Sequence, residues 1–152
     1  MPHPAGGKMA SPTDKAESDF NSLIARAEAA VEALRDVYRE QLSEDVAALN
    51  EIWARVEAEG PSEALLNEIH AIAHNVKGQG GSFGYDLVTE IGASFCDYLR
   101  SGTRSTPDEL NIINMHIRML RTVSENNITG DGGDTGRRIV EKLRLLTGGV
   151  KS

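Results

Sequence analysis

Leu65-Leu66-Asn67-Glu68-Ile69-His70-Ala71-Ile72-Ala73-His74-Asn75-Val76-Lys77-Gly78-Gln79-Gly80-Gly81-Ser82-Phe83-Gly84 spaces its apolar residues three and four apart. That is the period of an amphipathic helix and excludes a half-buried strand, which would alternate every second residue. At about 100° per residue the apolar stripe centres near Ile69, Ala73 and Val76, while His74, Gly78 and Gly81 point roughly the other way. His74 is therefore predicted to face water, with Lys77 and Gly78 one turn on along the same side. Gly60-Pro61-Ser62 before this stretch reads as a stop and restart, and Gly80, Gly81 and Gly84 are predicted to end the helix, the last turn closing in left-handed glycine caps.

Outward from this stretch the same period recurs. Phe20, Leu23, Ile24, Ala27, Val31, Leu34 and Tyr38 predict a first helix. Leu42, Val46, Leu49, Ile52, Trp53 and Val56 predict a second helix or a kinked continuation of the first, with Ser43 as N-cap ahead of Glu44 and Asp45. The stretch around His74 is then the third helix. Leu87, Val88, Ile91, Phe95, Tyr98 and Leu99 form a fourth, closed by Ser101-Gly102. Thr106-Pro107-Asp108-Glu109 is a capping box that opens a fifth, carrying Leu110, Ile113, Ile117, Leu120 and Val123. Ile139, Val140, Leu143 and Leu146 suggest a short last helix.

Six segments on short loops imply antiparallel neighbours, and four suffice to enclose a core. The expected fold is all-α, an antiparallel four-helix bundle with additional short terminal helical segments. Residues 1–12, rich in Pro and Gly, are expected to be a disordered tail. The bundle is expected over 13–128, and a loop with a short C-terminal helix over 129–152.

The 152 residues are 39% hydrophobic and 26% charged, enough for one core. A net charge of −7 argues against nucleic acid, which needs clustered Lys and Arg. The single Cys96 excludes an internal disulfide and reads as a partly buried thiol in a reducing compartment, so the cytoplasm is expected. No apolar run approaches the ~18 residues of a membrane span, and no membrane association is expected.

A histidine ring in water is largely neutral near neutral pH and offers a free nitrogen lone pair, which makes an exposed His74 a candidate nucleophile. A phosphoryl group taken up there would carry about two negative charges, which the ammonium of Lys77 could stabilise. Gly78 costs about 0.8 to 1.0 kcal/mol relative to Ala inside a helix, so its bare backbone beside the imidazole calls for a compensating role.

His74-x-x-Lys77-Gly78, with a small residue at Gly81 and a glycine at Gly84, resembles the signature of histidine phosphotransfer (HPt) domains. The helical layout from about Ser18 to Asn127 is similar to that family's bundle. The resemblance implies a phosphorelay intermediate. His74 would be the phosphoacceptor, Lys77 the charge stabiliser and Gly78 the clearance for an incoming receiver domain. Ala71, Gly81 and Phe83 are candidate receiver contacts, and Gln79 stands where many relatives have a small residue. Implied partners are the receiver domains of response regulators and of hybrid histidine kinases.

No phosphate-binding loop of the Gly-x-x-x-x-Gly-Lys kind occurs, so the chain is expected to carry phosphate without ATP-dependent kinase activity of its own. No metal site and no cofactor are expected, Mg2+ belonging to the partner receiver. A monomer is expected, with any dimer contact off the His74 face. Two other readings are a phosphate-independent helical adaptor and a metal site at His70 and His74, one turn apart but without a clear third ligand. His116, on the apolar side of its helix, reads as a core or boundary histidine.

Overall fold

A computed structural model describes residues 12–101 and 104–148 of the chain. Among them are five α-helices and no strand: α1 (Pro12–Glu59), α2 (Glu63–Gln79), α3 (Asp86–Arg100), α4 (Pro107–Glu125) and α5 (Gly133–Leu146), with a 3-10 turn at Gly81–Phe83. The chain is an all-α helical bundle, as its periodicity requires. Most of the tail expected at 1–12 lies outside the described residues, and Pro12 itself opens α1 in the first-turn position that suits proline.

The first two predicted helices are one. No Gly or Pro interrupts 13–59, and Ser43 sits inside α1, where Gln41 Nε2 donates to Asp45 Oδ1 across one turn at 3.0 Å. The i to i−4 ladder therefore runs on, and the Ser43 cap is not used. The helix bearing His74 is consequently the second in chain order. α1 stops at Gly60, whose φ of +89° is left-handed and whose N–H reaches Val56 O at 2.8 Å. Ser62 then caps α2, its hydroxyl accepting from Leu65 N. The capping box at α4 forms as read: Thr106 Oγ1 accepts from Glu109 N, and Glu109 Oε1 accepts from Thr106 N, both at 3.2 Å.

Residues 12–36 form one compact unit and 37–148 belong to a second. In the first, Phe20, Leu23, Ile24, Val31 and Leu34 are exposed. In the second, the core begins at Tyr38 and continues through Leu42, Leu49, Ile69, Ala73, Leu87, Ile91, Phe95, Ile113, Ile117 and Leu120. α5 lies beyond the bundle limits expected from the pattern, yet it packs on α3 and α4 and adds Leu143 to the same core. Cys96 is buried, which pushes its thiol up from the ordinary value.

His116 is fully buried on α4. Its Nδ1 lies 2.9 Å from Ile112 O and its Nε2 3.0 Å from Ser94 Oγ, and its ring stacks on Phe95 with centroids 4.8 Å apart. A carbonyl only accepts, so Nδ1 carries the proton and the neutral ring accepts from the Ser94 hydroxyl at Nε2. Burial holds its pKa down to about 4, against the Ile112 bond, which favours the charged form. The unfolded ring protonates near ~6.5, so between those values the unfolded state binds more protons and stability falls as pH drops. Urea denaturation is expected to show a loss of about 2 kcal/mol from pH 7 to pH 5 attributable to this group. His116→Gln should lower stability at neutral pH while flattening that slope; an unchanged slope would show that another group carries it.

Candidate functional site

His74 stands on the outward face of α2. It is exposed, as are Ala71, Gly78 and Gly81, while Lys77 and Phe83 are half-buried. The buried residues of α2, Leu65, Ile69, Ala73 and Val76, lie on its other side, as the stripe predicts. His74, Lys77 and Gly78 thus share one surface patch. A Cβ built at Gly78 meets nothing within 4 Å, so no packing among the described residues requires glycine there.

Gly92 of α3 has the opposite character. A Cβ there would lie 2.9 Å from both the Cα and the N of Lys77. The absence of a side chain lets α3 come against the α2 backbone directly behind the patch. Nothing in the phosphotransfer motif points to Gly92, although a glycine within Ile91-Gly92-Ala93 on a helix is itself a signal of close approach.

The end of α2 is held by a loop with few side chains. Gly80 is right-handed, φ −54°, and its glycine is required by space, since a Cβ would meet Thr89 Oγ1 at 2.7 Å and Tyr85 O at 3.0 Å. The left-handed closure expected of these glycines occurs only at Gly84, φ +85°. Gly81 N donates to Thr89 Oγ1 at 2.7 Å, and Tyr85 N to Gly80 O at 2.9 Å. The loop before α5 is tied in by Gly130 N donating to Gly84 O at 2.6 Å and Leu87 N to Gly130 O at 2.9 Å. Thr89 was missed because its partner lies eight residues back across a turn whose shape the sequence does not state.

Aromatic packing fixes the same loop. Phe83 stacks on Tyr38 of α1 with centroids 5.0 Å apart, Tyr85 tilts against Tyr38 at 5.3 Å, and Tyr85 Oη donates to Asn127 Oδ1 at 2.6 Å. Burial, then Asp45 and Tyr85, push the Tyr38 phenol up to about 12, so it stays neutral. Phe83, a candidate receiver contact, therefore also anchors the loop to α1.

His70, one turn before His74, is half-buried and lines a cleft of about 630 Å3 with Ser62, Leu66, Asn67, Leu99 and Arg100. Burial first, then the charges of His74, Arg100 and Lys77, hold it below the ordinary imidazole value. Its Nε2 has no hydrogen-bond partner among the described residues. Arg100, which pairs with Asp97, is a second cation acting on this face that the motif alone did not name. Among the described residues no group of three His, Cys, Asp or Glu could hold a metal ion.

The family profile of the Hpt domain matches residues 33–123. This spans more than half of the chain and takes in α2 with His74, and the chain belongs to the Hpt domain family. It accordingly has a phosphotransfer role in two-component systems, and domains of this family are phosphocarriers rather than kinases. Neither a comparison with curated proteins nor one with solved structures gave a match.

The two glycines near Lys77 are expected to respond oppositely to the same substitution. Gly92→Ala should destabilise the fold by about 1–3 kcal/mol in urea denaturation, because its methyl group meets backbone. Gly78→Ala should leave stability unchanged or raise it by up to ~1 kcal/mol through helix propensity. Equal effects at the two positions would contradict the geometry.

Proposed function

We propose that the protein relays a phosphoryl group between receiver-domain aspartates through His74. The observation that carries the reading is the bare Gly78 surface beside an exposed His74, open although no described residue packs there. A glycine whose cost in the helix has no internal return is accounted for by an external body that must come close.

In this reading a ring nitrogen of His74 attacks the phosphorus of an aspartyl phosphate on a docked receiver. The N–P bond forms as the bond from phosphorus to the aspartate oxygen breaks, and the carboxylate departs with the electron pair. The reverse step passes the group to a second receiver. Lys77 lies one turn away, where its ammonium offsets the charge of the transferred group. Ala71, Gly81 and the half-exposed Phe83 border the docking face. The carrier works in the cytoplasm without a cofactor, any Mg2+ remaining with the receiver. Among the described residues no helix is long and apolar enough to cross a membrane, and in a chain of formal charge −7 Lys77 supplies a cation one turn from His74.

Incubation with a radiolabelled phospho-receiver is expected to label the wild-type protein and leave His74→Gln unlabelled. Lys77→Ala should slow transfer roughly three- to ten-fold with its helical circular dichroism intact. Equal labelling of wild type and His74→Gln would overturn the assignment.

A further inference from the structure

Residues 20–37 carry an apolar face whose large side chains stand exposed. No residue of α1 before Tyr38 is buried, and Phe20, Leu23 and Val37 are 61%, 59% and 65% exposed. Exposed hydrophobics scattered singly are ordinary on a protein surface, whereas these are ordered. Positions 20, 24, 27, 31 and 34 alternate steps of four and three. That spacing is the 3.5-residue repeat of a coiled-coil seam.

We propose that this half of α1 pairs with the same segment of a second copy of the chain, making the protein a two-stranded coiled-coil dimer. Three observations select this occupant. The first is residue type: β-branched Ile24 and Val31 occupy one core position of the repeat and Phe20, Ala27 and Leu34 the other, the distribution that favours two strands.

The second is charge. The seam has none, and its only charged flank holds Glu28 and Arg35, one of each sign. Residues 20–37 contain two arginines, Arg26 and Arg35, against Glu28, Glu32 and Asp36, a net charge of −1 in a chain of −7. Two copies therefore meet there with little self-repulsion, and no charge row demands a foreign partner.

The third is area. Six large apolar side chains on this segment stand 42% to 65% exposed. At roughly 100 Å2 each they offer on the order of 1,200 Å2 from two copies, the lower end of specific interfaces. The segment is short for an isolated coiled coil, but it is part of the 48-residue helix α1, so the costly nucleation step is already met. The pairing is accordingly reversible and concentration-dependent.

Analytical ultracentrifugation of the full chain from about 1 to about 200 µM is expected to show a monomer converting to a dimer. Ile24→Glu combined with Leu34→Glu should leave a monomer throughout that range, with the thermal unfolding of the bundle unchanged. Arg26→Glu, off the seam, should dimerise as wild type does. Ala27→Cys should form an intermolecular disulfide under mild oxidation, and Ala29→Cys, on the outer face, should not. A wild type that stays monomeric at the highest concentration overturns the proposal, and so does a dimer that survives the double substitution. A seam that binds only a different helical protein, with no self-association, overturns it equally.

Discussion

The approach of α3 to α2 at Gly92 is the constraint on which the rest of the bundle depends. Backbone stands against the backbone and Cβ of Lys77 where any other residue would place a carbon at 2.9 Å. Because the two helices meet so closely, Ile69, Ala73 and Val76 share one buried core with Leu87, Val88, Ile91 and Phe95, and the face of α2 that bears His74 is turned outward. A packed interior tolerates little added volume, so one methyl group at this crossing would shift the axis on which the site is mounted.

The end of α2 is set by a second layer of the same economy. Four glycines within seven residues would leave most chains loose, yet here the backbone is held by Thr89 Oγ1, by Gly130 and by the Tyr38, Phe83 and Tyr85 rings. The rigid loop leaves α2 free of side-chain bulk on its outer face while fixing it from behind. Electrostatics follow the same division. His116, enclosed between α3 and α4, is kept neutral by burial, whereas His70 is held below the ordinary imidazole value by burial first and then by the charges of His74, Arg100 and Lys77.

Membership of the Hpt domain family gives this arrangement its context, since domains of this family are phosphocarriers rather than kinases. The His74 imidazole sits on a helix face beside Gly78, whose missing side chain would meet nothing among the described residues, and the described interior is given over to apolar packing around the hydrogen-bonded His116.

Periodicity by itself determined the helical class, the outward direction of His74, the shared face of His74, Lys77 and Gly78, and the capping box of α4, because each is a local consequence of 3.6 residues per turn or of a side chain reaching three residues along. It could not distinguish one long helix from two between Tyr38 and Leu42, since Ser43 followed by acids is as compatible with a helix interior as with a cap. Which glycine does what was also beyond it. Gly78, Gly80, Gly84 and Gly92 are the same letter, but one faces open space, one meets Thr89 and Tyr85, one turns left-handed and one admits a neighbouring backbone. Tertiary structure alone decided those roles, because a glycine is defined by what occupies the volume its missing side chain would have filled, and that volume is furnished by residues distant in the chain.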